Sequence, residues 1–549
     1  MQKNITISIS LKNKLLEVPK ISNQKHYNFM RYIVLSFTFF LFSHYLYCQQ
    51  KNYMQQAIEE NFSKIEIPIL SKSEMYADFD TLCHWLQNIY PYYYIKSKLC
   101  ATNYDKKLAA LRSQISNTQK MNDFIWILQK AINMFCDKHL GIPDRQSLSE
   151  YHQHEAMYDI KFSPKNIVCT YKYNLLIRDS LWVKANLGMS FKYLDGKYYI
   201  MRAFKYNEQI YPEGLLLKSI DGMPIDTFVN YFYPSMTGAL YDYKHKKYFS
   251  EYFMVSPDFI NKKTCLLVFE DDKKNILQDT FHTDVFLIKG LSKKWPQQID
   301  TQTVFTIHDT VLYVRMPNML GNEDFYIQKI QKLYNENIQK IIIDIRGNSG
   351  GTDLVWMNVL SHIISDTLRQ NVALYAYNTN KQVRDFLGRR NKELYNTDSI
   401  QTKYFPLLNA ELIKIYDKQE KIIPNENSIR FNGKMVIMQD EDTFSAAGSL
   451  TTIAKGKDNI ISVGYSRTDI AGRGLSPLLF QLPHTNMLII MPFVIDYSNV
   501  NQMSDFLRNV PEIECRQSMS TVLQKRFSIN PYQIEALLED ECFLTAISL

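Results

Sequence analysis

At 549 residues the chain exceeds what one hydrophobic core can serve and should divide into roughly two to four domains. Hydrophobic residues at 46% and charged residues at 22% describe an ordinary globular protein, which excludes a disordered or low-complexity chain. Of the net charge of +7, five units fall before residue 49, on Lys3, Lys12, Lys14, Lys20, Lys25 and Arg31 against Glu17; the rest carries no basic stripe, which argues against nucleic acid as a partner.

The first element in chain order is MRYIVLSFTFFLFSHYLYCQQ, Met30–Gln50, with one basic residue, an apolar block from Tyr32 to Phe42 and a polar-flanked boundary near Cys48. That layout predicts a secretory signal peptide, with residues 1–49 as leader, Met30 as an alternative start, and an exported protein, periplasmic or extracellular. The block is shorter than the ~20 residues of a comfortable span, so no stable membrane span is expected apart from the leader; an uncleaved anchor is the alternative. Eight cysteines without a CxxC pair, and no His at ligand spacing, argue against zinc, and no cofactor is expected. Seven remain once Cys48 is set aside, so at least one thiol is unpaired.

Residues 50–148 read as a helical region: apolar residues recur at three and four in DFDTLCHWLQNIYPYYY and MNDFIWILQKAINMF. Pro91 should end the first helix, and Gly141 and Pro143 in CDKHLGIP the second. Residues 149–295 turn to short alternating runs, NIVCTYKY, KYYIMRAF and TCLLVFEDD, which read as strands. Within them EGLLLKSIDGMPIDTFVNYF gives strand, Asp-Gly turn and helix, and resembles the core of a PDZ-like module. In residues 296–549, TVLYVRMP, KIIIDIR and KMVIMQD alternate with the helices EDFYIQKIQKLYNEN and DLVWMNVLSHIIS and one beginning near Ser445. This predicts an α/β domain with a parallel sheet layered by helices, IIIDI being buried on both faces.

Two strand ends are chemically loaded, and sites in such sheets form beyond the carboxyl ends of strands. A chain with only 18 glycines places three of them within RGNSGG, Arg346–Gly351, where positive φ and converging N–H groups suit an anionic oxygen. A tight strand-to-helix turn is the plainer reading. In QDEDTFSAAGSL, Ser445 opens a helix directly after a strand, its hydroxyl beside the positive end of the helix dipole. Helix capping explains that serine equally well when it stands alone.

Together these segments, followed by VGYSRTDIAGRG and the strand pair around LPHTNMLIIMP, resemble the tail-specific (C-terminal-processing) and tricorn-like serine peptidases. CDKHLGIP looks like that family's Asp-Gly-His-Thr-Gly segment and RNVPEIEC like its closing Pro-Asp-Ile-Glu element, so the resemblance spans about residues 75 to 515. It implies a crotonase-like ββα catalytic domain, with Ser445 as nucleophile. An unactivated hydroxyl needs a base and donors for the tetrahedral oxyanion; Gly350 N–H and Ala446 N–H are the expected donors. C-terminal-processing members use a Lys about 25 residues after the nucleophile, where this chain has Ile470, and Lys455 and Lys457 lie too close. Tricorn-like members use a His, and His139 matches its place, a role its neutral-range titration suits; a capping or core histidine is the plainer reading. Asp505, by its distance before PEIEC, is the expected orienting carboxylate, Asp496 the alternative, and either also reads as a surface charge. His84 and His484 read as structural and solvated, and Asp344 and Arg346 as an ion pair anchoring the glycine loop.

Two departures stand out: Lys138 where tricorn-like members have a second serine, and Gly448 where the family commonly has an acid. The expected activity is exported serine endopeptidase on polypeptide substrates. The competing readings are an inactive relative that binds peptide or an apolar ligand in the same cleft, and a crotonase-like enzyme acting on thioesters. Oligomeric state is not legible.

Overall fold

The computed structural model describes residues 58–144, 148, 162–182, 191–233, 238–250, 264–282, 302–377, 380–389, 395–396, 412–465, 477–507 and 510–549. The leader and most of the segment after Gly464 in VGYSRTDIAGRG lie outside them.

The helical region is built from α1 (Lys72–Asn88), α2 (Tyr93–Leu99), α3 (Tyr104–Gln114) and α4 (Met121–Asn133). Ser71 starts α1 with a reciprocal capping box to Glu74. The first helix ends ahead of Pro91, as expected. The second stops at Asn133, before Gly141 is reached; the chain then turns at Cys136, φ 48°.

NIVCTYKY, expected as a strand, lies instead within the helix α5, Pro164–Trp182. Ser163 precedes a proline at the first helical position, and it exchanges hydrogen bonds with Asn166, Asn166 N donating to Ser163 Oγ at 3.3 Å and Ser163 N to Asn166 Oδ1 at 3.1 Å. That cap, plus burial of Ile167, Thr170, Tyr173 and Ile177 at helical spacing, overrides the strand preference of the β-branched residues.

The β-rich region forms an antiparallel sheet of β1 (Phe191–Leu194), β2 (Lys197–Ile200), β3 (Leu216–Ile220), β4 (Thr264–Glu270) and β5 (Ile276–His282), paired in that order. Asp221 and Gly222, both at positive φ, turn the chain from β3 toward helix α6 (Ile225–Phe232), as the sequence suggested.

The third unit centres on a six-stranded sheet containing β6 (Val304–His308), β7 (Val311–Arg315) and β8 (Lys340–Asp344). Helices α7 (Glu323–Leu333) and α8 (Asp353–Ser361) flank β8 in sequence. Strands β9 (Leu368–Tyr377) and β10 (Leu412–Ile422), with helix α9 (Lys381–Arg389) between them, belong to a separate antiparallel sheet that the sequence reading missed. The chain returns through β11 (Lys434–Gln439), helix α10 (Ala446–Ile453) and β12 (Ile460–Gly464). After these come the hairpin β13 (Leu478–Gln481) and β14 (Leu488–Met491), then β15 (Ile495–Asp496) and β16 (Ile513–Glu514). The main sheet runs β6-β7-β8-β11-β12-β16 and is parallel except for the β6–β7 pair.

Every residue of β8 is buried, as expected for a strand covered on both faces. Alternation sorts the two sides: Leu312, Val314, Ile341, Ile343 and Ile437 pack with α7, α8 and α10. Three helices close the chain, α11 (Met519–Phe527), α12 (Ile534–Leu537) and α13 (Glu541–Ser548), and Tyr313, Ile342, Val436 and Met438 pack instead with Leu537 of α12 and Phe543 and Ala546 of α13. Because β8 and β11 are parallel neighbours, the loops leaving them, Arg346–Gly351 and Asp440–Ser445, emerge side by side at one sheet edge.

Candidate active site

The two loops meet in space. A Cβ placed on Gly350 would fall 2.7 Å from Phe444 O, 2.8 Å from Ser445 Cβ and 2.9 Å from Ala446 N, so only glycine fits there, at φ +99°. Phe444 N donates to Asn348 O at 3.0 Å, and Gly347 N donates to both carboxylate oxygens of Asp440 at 2.9 and 3.0 Å, stitching one loop to the other.

Ser445 stands immediately before α10 at φ 53°, ψ −123°, a sparsely populated backbone region that costs of order 1–3 kcal/mol. Its side chain makes no capping hydrogen bond, so the plain capping reading does not account for it. At this position Oγ is half-exposed at the positive end of the helix. Among the described residues no acceptor pairs with the Ala446 N–H. Gly350 N–H, the other expected donor, is already taken: it donates to Asn348 Oδ1 at 2.8 Å. The adjoining Gly351 N–H has no acceptor among the described residues.

His139 arrives from the helical region and lies against this loop, its ring packed on Phe444 with centroids 4.3 Å apart and the planes tilted by 36°. Three contacts hold it there. Asp137 Oδ1 accepts His139 N–H at 2.9 Å; Gly141 pairs with Ile490 of β14 through hydrogen bonds of 3.0 and 2.8 Å; and Lys138 Nζ lies 3.3 Å from Asp442 and 5.5 Å from the Phe444 ring. The last contact accounts for the lysine that departs from the tricorn-like pattern. Burial lowers the His139 pKa; Lys96 and Lys138 add to the effect while Asp137 opposes it, so the ring is neutral at neutral pH. Among the described residues no hydrogen bond joins the His139 ring to Ser445 Oγ.

Asp505 is placed elsewhere. Its carboxylate accepts Asn501 N and Gln502 N at 2.8 and 3.0 Å and lines a cavity of about 570 Å³ with Thr452, Ile453 and Lys457. Thr452 and Ile453 lie at the opposite end of α10 from Ser445, roughly 10 Å away along its axis, and Lys457 lies beyond that end. Asp496 lines the same cavity and accepts Ser498 N at 2.8 Å. Neither carboxylate hydrogen-bonds to the His139 ring. His484 lies in the β13–β14 turn 3.7 Å from Glu74, and His84 is exposed.

The sequence reading missed Asp137 as a holder of His139, although it stood two positions earlier in the quoted CDKHLGIP. This carboxylate is buried with Tyr90 OH at 2.6 Å and Lys96 Nζ at 3.5 Å; burial works against its charge, but Lys96 and His139 hold its pKa below the ordinary value. It missed Asp440 as well. Burial, with Glu441 and Asp442 beside it, pushes that carboxyl up to about 7. Among the described residues no group of side chains is arranged to hold a metal ion, and no helix is long and apolar enough to cross a membrane.

A serine in a strained turn before a helix, packed on a glycine loop with a histidine against the neighbouring Phe444, is an arrangement that suits a serine-type hydrolase. Residues 310–493 match Peptidase family S41. The match covers about a third of the chain and supports a serine-type peptidase of the tail-specific, S41 kind. Among solved structures, mature CPAF aligns over 85% of this chain and 97% of its own at 14% identity and a TM-score of 0.53, which shows a shared fold. Mature CPAF complexed with lactacystin aligns over 85% and 98% at 14% identity and 0.52. The photosystem II D1 C-terminal processing protease aligns over 83% of this chain and 98% of its own at 12% identity and a TM-score of 0.35. No curated protein matches.

Proposed function

We propose that the chain is an exported serine endopeptidase in which Ser445 attacks the scissile carbonyl and His139 takes its proton and returns it to the leaving amine. The oxyanion is held by Ala446 N–H together with an N–H of the Gly350–Gly351 pair, Gly350 serving once Asn348 Oδ1 turns aside. The observation that carries this reading is the contact of Gly350 with Ser445 and Ala446 N, which sets backbone donors beside the one strained serine of the loop. The packing of His139 against Phe444, next to Ser445, and its lowered pKa support its role as base. In this reading residues 296–549 have the crotonase-like architecture and 149–295 the PDZ-like one, presenting polypeptide chain ends to the cleft; the leader directs export.

A fluorophosphonate probe tests it. Covalent labelling of the wild-type chain, absent from Ser445→Ala and strongly slowed in His139→Ala, together with hydrolysis of fluorescent casein, is the expected result. A wild-type chain that takes up no probe overturns the mechanism.

A further inference from the structure

The glycine loop is clamped from a part of the chain that lies outside the matched family segment. Arg346, in the middle of the turn from β8 to Gly350, is buried. Its guanidinium meets Asp344 on one side, Nη2 to Oδ2 at 2.6 Å, and Asp540 on the other, Nη1 to Oδ2 at 2.6 Å. Asp540 is itself fully buried and fixed: its Oδ1 accepts Cys542 N at 2.9 Å as the N-cap of α13, and Lys525 pairs with Oδ2. The same C-terminal segment supports the loop's backbone, since Arg315 donates to Arg346 O at 2.7 Å while its guanidinium lies 3.8 Å over the Tyr532 ring.

We propose that Asp540 is a positioning residue for the peptidase reaction, acting through Arg346 to hold the glycine loop, and hence Gly350 and Gly351, at the distance from Ser445 that oxyanion binding requires. The proposal rests on the serine peptidase reading above. Its physical basis is charge and geometry together. Arg315, Arg346 and Lys525 are three buried or largely buried cations shared between two buried carboxylates, Asp344 and Asp540. Neutralising Asp540 leaves three cations on one carboxylate, and Arg346 then has reason to shift toward solvent. The loop it anchors has no slack, because Gly350 already touches Phe444, Ser445 and Ala446. A displacement near 1 Å at a reacting centre costs on the order of 100-fold in rate.

The test is the kinetics of fluorophosphonate labelling at Ser445, since the phosphonylation transition state uses the same donors. For Asp540→Asn the maximal labelling rate is expected to fall about tenfold or more, while the probe concentration for half-maximal rate stays within about threefold. Asp540→Glu keeps the charge and should recover part of the loss. Lys525→Met/Asp540→Asn restores the charge balance without the Arg346 contact, so it should regain the thermal transition of the wild type yet label slowly; it decides the matter if Asp540→Asn does not fold. Wild-type labelling rates in either folded Asn variant overturn the positioning role. No labelling of the wild type overturns the underlying peptidase reading and this role with it.

Discussion

Gly350→Ala probes the contact on which the site depends. A methyl group there would sit 2.7–2.9 Å from Phe444 O, Ser445 Cβ and Ala446 N, so ordinary contact at 3.4–4 Å requires the loops to part by roughly 0.5–1 Å. The backbone adds a second cost, since φ of +99° at a residue with a side chain is unfavourable by about 1–2 kcal/mol. Oxyanion donors act only within a few tenths of an ångström of their ideal reach, and losing one costs roughly 100- to 1,000-fold in kcat. The variant should therefore fold with a modestly lowered Tm and hydrolyse fluorescent casein at least about 100-fold more slowly, with KM little changed. The assay is initial-rate hydrolysis normalised to the folded fraction, measured by the thermal transition. Activity within about threefold of wild type would mean that the loops do not cooperate in catalysis, and the reasoning from their contact would be wrong.

Other consequences are as direct. Because His139 must be neutral to act as base, kcat/KM should be flat around neutrality and fall only as pH drops below the ordinary imidazole value of about 6.5; Lys138→Ala removes a cation that lowers this pKa, so the acid limb should move up, and an unmoved limb would count against His139. That same substitution, at a partly exposed ion pair, should change stability by under about 1 kcal/mol by denaturant titration. Asp344, buried but held at about 2 by Arg346, contributes stability that is complete above about pH 4 and lost as pH falls toward 2, which acid unfolding of Asp344→Asn against wild type would measure. Asp440 has the opposite sign. Its folded pKa of about 7 lies above the unfolded value, so its charge costs stability as pH rises from about 4 through 7; the stability of Asp440→Asn relative to wild type should improve between pH 5 and pH 8, and a difference independent of pH would refute the shift.

Local pattern carried much of the fold. The buried run of β8, the Asp-Gly turn before α6 and the strand–helix alternation from Val304 onward reflect side-chain periodicity and turn chemistry, which act over a few residues. The pattern misled at Pro164–Trp182, where a short apolar run suits either element and the Ser163 cap settles it. It was silent on β9 and β10, whose pairing spans some fifty residues, and on the C-terminal helices.

For the site, the residue types and the order of the motifs marked Ser445, His139 and the glycine loop as candidates, because a serine at a strand-to-helix turn and a cluster of glycines leave signatures along the chain. Which groups face one another was decided by tertiary structure alone. Asp505 lies beyond the far end of α10, Asn348 occupies the N–H of Gly350, Phe444 carries the His139 ring, and Asp540 grips Arg346 from the end of the chain. Such partnerships are fixed by packing between segments up to some three hundred residues apart, and a distance of that kind leaves no periodicity in the sequence to read.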